Sequence, residues 1–259
     1  MKLKRVYQCD GTVDGIFTAI YEAWESRYGH ADIMIAETTP DMELELFTEY
    51  INIRTDEKKA SKVADSIQRK ISMYAYELVI KSALSNQAKR SDAIYRFLQL
   101  GFAAGSSVSC QLSHPYVTPI FEMERRVNNE MHHYMEFVRF SELENAILLS
   151  RIRPENNIIT LIAPHFEDRL PEENWMIYDE RRSIAAIHRK RYPWILVDGN
   201  ELNIEEMKHF SGAELDMQLF WKTFVDTIAI KDRSNKKLQS QLLPNRYREF
   251  MREVPYKEK

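Results

Sequence analysis

Cysteine is nearly absent from the chain: Cys9 and Cys110 are the only two, far apart and in no C-x-x-C spacing. That excludes a disulfide framework and a thiolate-held zinc or iron–sulfur site supplied by this chain alone, and it fits the cytoplasm as the expected compartment. Long hydrophobic runs are missing too. No stretch of about 18 apolar residues occurs, and the opening MKLKRVYQCDG has basic residues with no apolar segment of signal-peptide length behind them, so a soluble, unexported protein with no membrane partner is expected. Nor is there any G-x-x-x-x-G-K-[ST], any G-x-G-x-x-G after a strand or any G-x-S-x-G. Nucleotide-cofactor and α/β-hydrolase readings therefore have no support, and no cofactor is expected. Internal repeats and low-complexity tracts are absent as well.

What is present is ordinary globular material: 259 residues, 44% apolar and 29% charged, enough for one sizeable core or two modest ones. The net charge of −3 hides a division along the chain. From Asp10 to Glu57 twelve acidic residues face two arginines, a net of −10, whereas from Lys231 to Lys259 nine basic residues face four acids, a net of +5. The acidic segment solvates a face, or the basic end meets an anion such as nucleic acid.

Periodicity sketches the elements. LKRVYQC alternates as a strand, and after the DGTVDG turn Ile16, Phe17, Ile20, Tyr21 and Trp24 share a helical face. DIMIAE fits either state. TEYINIRTD reads as a strand ending at a capping Thr55-Asp56, and EKKASKVADSIQRKIS and MYAYELVIKSALS read as helices. SDAIYRFLQLGFAAG reads as a helix starting at a Ser-Asp cap and closing on glycine. Beyond HPYVTP, PIFEMERRVNNEMHHY reads as a helix, and HYMEFVRFSEL and AILLSRIRP as strands joined through Glu144-Asn145. NNIITLIAPHFEDRL has a helical spacing that passes through Pro164, and ENWMIYDERRSIAAIH reads as a hairpin around Asp179-Glu180-Arg181-Arg182. PWILVD adds a strand, LDMQLFWKTFVDTI is an amphipathic helix, and a polar tail holding LPNRYREF closes the chain. The expected fold is α+β: a mostly helical region over 1–120, then residues 121–259 with a small antiparallel sheet flanked by helices, as two regions or one continuous domain.

Four of the seven histidines, His132, His133, His165 and His188, fall in one region with Arg139, Arg169, Arg181 and Arg182. Arg139, Arg151 and Arg153 lie in or beside the proposed strands. They are either a solvated outer face or a fork-shaped phosphate binder, since guanidinium donors match phosphate oxygens in pairs. His165 and Arg169, four apart, share a helical face; His165 is either a packed imidazole or an acid–base group oriented by a carboxylate such as Asp179. Glu130-x-x-His133 and Glu206-x-x-His209 match the ligand pairs of di-iron bundles, but the second lies in a polar stretch without the long apolar helix such bundles use, so no metal is expected.

Five segments, in order, resemble a bacterial family usually described as a probable DNA metabolism protein: YQCDGTVDGIFTAIYEAW, RTDEKKASKV, VNNEMHHYMEFVRF, RIRPENNIITLIAPHFEDRLPEENWMIYDERR and LQSQLLPNRYREF. They cover nearly the whole chain. The resemblance implies a role more than a reaction. Genes of that family lie beside a radical-SAM protein thought to act in DNA modification or repair, and some members carry an appended uracil-DNA glycosylase-like domain after the last segment. This chain ends at Lys259 without one, so glycosylase chemistry is not expected to transfer. Family motif positions here are His132, His133, Phe137, Arg139 and Phe140, then His165, Phe166, Arg169, Pro171, Trp175 and Asp179.

Together these readings describe a DNA-binding accessory partner of a radical-SAM DNA repair or modification protein. Its nucleic-acid contacts are expected at His132, His133, Arg139, Arg169, Arg181, Arg182 and Arg246. Aromatic residues interleaved with basic ones, as in HHYMEFVRF and RKRYPW, suit base stacking beside phosphate contacts. The alternatives are an enzyme acting on nucleic acid through His165 and Asp179, and a scaffold whose basic tail only solvates.

Overall fold

The computed structural model describes residues 3–38, 45–203, 205–230, 235–248 and 250–251. The chain separates into two compact units, residues 1–128 and 129–259.

In the first unit, strand β1 (Lys4–Cys9) leads through a tight turn into helix α1 (Val13–Glu25). The turn is built by Asp10, whose Oδ1 accepts from the Thr12 amide and hydroxyl while Oδ2 accepts from the Thr55 hydroxyl. Thr12 in turn caps α1 by accepting from the Gly15 amide. Only glycine fits at position 15, because a Cβ there would stand 2.0 Å from Asp10 Oδ1. The ambiguous DIMIAE is a strand, β2 (Ile33–Glu37), and β3 (Thr48–Asn52) follows; both run parallel to β1, in the order β2-β1-β3.

Helices α2 (Glu57–Lys70), α3 (Met73–Ala83) and α4 (Arg90–Ala104) make this unit mostly helical, as its sequence implies. Asp56 and Ser72 cap α2 and α3 through their side chains, and α4 closes on Gly105 at φ 65°. The expected Ser-Asp cap of α4 is corrected: the N-cap is Lys89, at φ 63° and without a side-chain cap. Ser91 and Asp92 fall inside the first turn because the edge strand draws them away. Ser91 donates to Glu37, and Asp92 accepts the Ile35 amide. Ile16, Phe17 and Ile20 of α1 pack with Ile33, Ile35, Ile67, Phe97 and Leu98 as the core, each contributing about 1.5–3 kcal/mol on leaving water.

Helix α5 (Thr118–Phe137) corrects a second expectation. HYMEFVRFSEL is not a strand: the helix continues to Phe137, and only Ser141–Glu142 pairs, as β4. The 3.6-residue period outweighs the short alternation, because Val127, Glu130 and Tyr134 are buried at spacings of three and four and the Val138 amide still bonds to the Tyr134 carbonyl. Arg139 accordingly sits in a loop, not on a strand.

The second unit is built on a five-stranded sheet in the order β4-β5-β6-β7-β8, with β5 (Leu148–Ile152), β6 (Trp175–Asp179), β7 (Ile184–His188) and β8 (Ile195–Asp198). Three of its pairings are antiparallel, including the hairpin through Glu144-Asn145 and the one around Asp179–Arg182. β5 and β6 are parallel, joined by a crossover through α6 (Ile159–Arg169), which carries Pro164 within it. Helices α7 (Gly212–Ile228) and α8 (Lys236–Leu242) and a 3-10 turn, Asn245–Tyr247, follow. The tail is more than polar solvation: Tyr247 and Met251 are buried.

Candidate nucleic-acid interface

The β6–β7 turn carries the densest group of predicted residues. Asp179, fully buried, accepts at Oδ1 from the Arg181 and Arg182 amides (2.9 and 3.4 Å) and at Oδ2 from the Arg182 guanidinium (3.0 Å). Arg182 extends the clamp to the carbonyls of Pro154 and Glu155. Glu180, one residue on, receives both Arg151 and Arg153 from the end of β5. The turn thus fixes the 153–156 loop through charge-assisted bonds. Two half-exposed guanidiniums share a single carboxylate, which leaves this edge positive.

The same loop is held from α5. The buried Glu130 accepts from the amides of Glu155 (2.9 Å) and Asn156 (2.8 Å) and from the Asn156 carboxamide (2.6 Å). These bonds satisfy a carboxylate that burial would otherwise penalise. Glu130 is thereby a structural anchor, and the side chain of Glu206 lies outside the described residues. Among the described residues no group of three or more His, Cys, Asp or Glu is placed to hold a metal ion.

Tyr134, one turn further along α5, has its phenol pushed up by burial, with Glu130 and Tyr247 adding to the shift. Burial also pushes Tyr247 up to about 12, against the opposing pull of Arg246. Arg246 donates to the Tyr247 hydroxyl (2.8 Å) and pairs with Glu155 (3.3 Å). His133 stacks on Phe137 at 5.8 Å and meets Tyr247 at 5.0 Å, so the C-terminal turn docks on α5 through rings.

Beside this network lies a cavity of about 280 Å³ between the α5–β4 loop and α7. Arg139 and Phe140 line one side and Glu214, Gln218, Trp221 and Lys222 the other, with Phe250 completing the lining; the Glu214 carboxylate is engaged by the Glu142 amide (3.2 Å) and the Gln218 carboxamide. The Arg139 guanidinium donates to the Glu136 and Val138 carbonyls, 3.2 Å each. Phe140 stands edge-on to Phe166 (5.3 Å) and Trp175 (6.4 Å). The Arg151 guanidinium lies 5.5 Å from the Phe250 ring and joins the cavity to the β5 arginines. Trp221 is half exposed and stacks on Phe224 at 5.8 Å. Three aromatic rings and two cations in one lining match the chemistry of an unstacked base and its phosphate, with the Glu214 carboxylate occupied by its own partners.

The predicted residues therefore divide. Arg182 and Asp179 meet, as do His133 and, through Tyr247, Arg246. Arg139 belongs to the aromatic cavity, while Arg181, Arg169 and His132 are exposed on their own elements. His165 is half-buried, edge-on to Phe166 at 5.1 Å, with a buried Nε2 that has no partner among the described residues. The bonds of Asp179 run to its own turn; none joins it to His165. Trp221 and Lys222 escaped sequence reasoning because LDMQLFWKTFVDTI reads as an amphipathic helix, and Phe250 because LPNRYREF reads as part of a polar tail. The charged Lys222 between aromatics was the one signal that pointed elsewhere.

No curated protein matches the chain. A solved structure titled "Member of s1p family of ribosomal proteins PF0399 DHH domain" aligns over 70% of this chain and 56% of its own, at 10% identity and a TM-score of 0.24. The present chain thus spans little more than half of that one's length, and a likeness this weak carries no argument. The sequence match is firmer: residues 88–253, which include α4, the whole five-stranded sheet and the aromatic cavity, fit one family throughout. The chain belongs to DUF4130, a family defined by a domain of unknown function.

Proposed function

We propose that the protein binds nucleic acid, with a preference for unpaired strands, and serves in the cytoplasm as the DNA-binding accessory of a radical-SAM DNA repair or modification enzyme. The observation that carries this reading is the cavity lined by Phe140, Trp221 and Phe250 together with Arg139 and Lys222. Aromatic faces accept any base by stacking, and flanking cations follow the backbone. Binding is favoured over catalysis by a His165–Asp179 pair because both Asp179 oxygens are occupied by the turn. The radical-SAM partner follows from the family resemblance. This chain has two distant cysteines, so cluster chemistry belongs to the partner.

Salt-dependent titration of a fluorescent single-stranded oligonucleotide tests the reading. Each lost phosphate contact shallows the slope of log K against log[salt] by about 0.7, so Arg139→Ala with Lys222→Ala should shallow it by about 1.4. Trp221→Ala should weaken binding by about 1–3 kcal/mol at every salt concentration. Unchanged slopes and affinities in these variants would remove the cavity from the interface. Co-purification of the radical-SAM protein with the tagged chain tests the partnership separately.

A further inference from the structure

A second cavity, of about 340 Å³, opens in the first unit, in the groove between α1 and α2. Its floor is Ile20 and Val63, both buried, and its walls are the partly buried rings of Tyr21, Trp24 and Phe102. The ring of Trp24 packs edge-on against Tyr95 (5.2 Å) and Phe102 (5.3 Å), which support this wall. The volume lies in the range of small-molecule sites, roughly 300–1,000 Å³.

The rim is cationic. Lys62, Ser66 and Lys70 line the cavity from α2 at successive spacings of four, hence on one helical face. The lysines start about 12 Å apart, from a rise of 1.5 Å per residue, and their long flexible stems let both ammoniums converge on one charge. Lys59, on the same helix, is paired with Glu22. Among the described residues neither Lys62 nor Lys70 forms an ion pair; the Lys62 ammonium lies 5.4 Å from the Tyr21 ring. The Ser66 hydroxyl donates back to the Lys62 carbonyl, which leaves charge recognition to the two lysines. No carboxylate lines the cavity.

We propose that this groove binds a small organic anion with an aromatic body, an aryl phosphate or aryl carboxylate, ring inward and charge at the lysine rim. A neutral aromatic compound fills the floor and leaves the ammoniums unmatched. Inorganic phosphate meets the ammoniums and leaves the apolar walls wet. Only a ligand with both parts satisfies both halves of the site.

Isothermal titration calorimetry of the full chain with 1-naphthyl phosphate, 1-naphthoate, 1-naphthol and inorganic phosphate tests the proposal. Both naphthyl anions are expected to bind at least tenfold more tightly than naphthol or phosphate. Lys62→Glu with Lys70→Glu should remove that advantage, at two exposed positions whose change spares the fold, as circular dichroism will verify. Ser66→Phe, which fills the cavity and keeps both lysines, should weaken the naphthyl anions at least tenfold. Equal binding of naphthol, equal binding of phosphate, or naphthyl binding unchanged in either variant would each overturn the proposal. All these residues lie in the first unit, so the outcome is independent of nucleic-acid binding through the second.

Discussion

At Asp179 both carboxylate oxygens are taken up by the turn that follows, so the residue shapes the 179–182 corner and, through Arg182, the 153–156 loop. Asp179→Ala leaves two turn amides without their acceptor and the Arg182 guanidinium without its carboxylate, held only by the Pro154 and Glu155 carbonyls, and should cost about 3 kcal/mol or more of stability. His165 differs. Its ring touches Phe166 and its buried Nε2 finds no partner among the described residues, so His165→Gln should stay within about 1 kcal/mol of the parent. Urea unfolding of the two variants separates the cases, and a loss at His165 as large as that at Asp179 would make the imidazole a structural group. Sequence marked both residues as candidates, because it showed their type and proximity in the chain. The bonds of Asp179 span only two or three residues, but the reach of Arg182 to the Pro154 and Glu155 carbonyls crosses 28 and 27 residues, and no local pattern carries that information.

Among the elements, caps were the most legible. Asp56 and Ser72 cap α2 and α3 through bonds that span only two or three residues. The cap of α4 was misread because Ser91 and Asp92 bond to β2, far away in sequence. The C-terminal turn, read as a polar tail, is anchored by Tyr247, whose phenol is raised to about 12 from an ordinary value near 10. A group raised on folding contributes stability that is present below pH 10 and is lost as pH climbs through 12. Thermal unfolding should therefore show Tm falling above pH 10, and falling less in Tyr247→Phe; an identical decline in both proteins would mean that the turn is not anchored by that phenol. α7 was the opposite surprise: Leu219 and Phe220 are 66% and 70% exposed on a helix whose sequence promises a buried face. Leu219→Ser with Phe220→Ser should raise solubility without lowering Tm, measured by light scattering beside thermal unfolding, since large exposed apolar patches promote association. A Tm loss of several degrees would show that these side chains are packed in solution.

For the molecule as a whole, the sequence by itself determined the α+β class, the helical first half, most element positions and the absence of any helix long and apolar enough to cross a membrane among the described residues. These are properties of periodicity, capping and composition, which act over a few residues and can be read in order. Tertiary structure alone decided the parallel sheet around β1, the parallel β5–β6 pairing with α6 as its crossover, and which of many arginines line an aromatic cavity. Strand pairing and side-chain convergence join residues far apart in sequence, so their energies depend on three-dimensional proximity that no window of the chain contains. The same reason divides the predicted site. Arg182 is held by backbone carbonyls, Arg151 and Arg153 by Glu180, and Arg139 stands with Trp221 and Lys222, although by type and spacing the four arginines look alike.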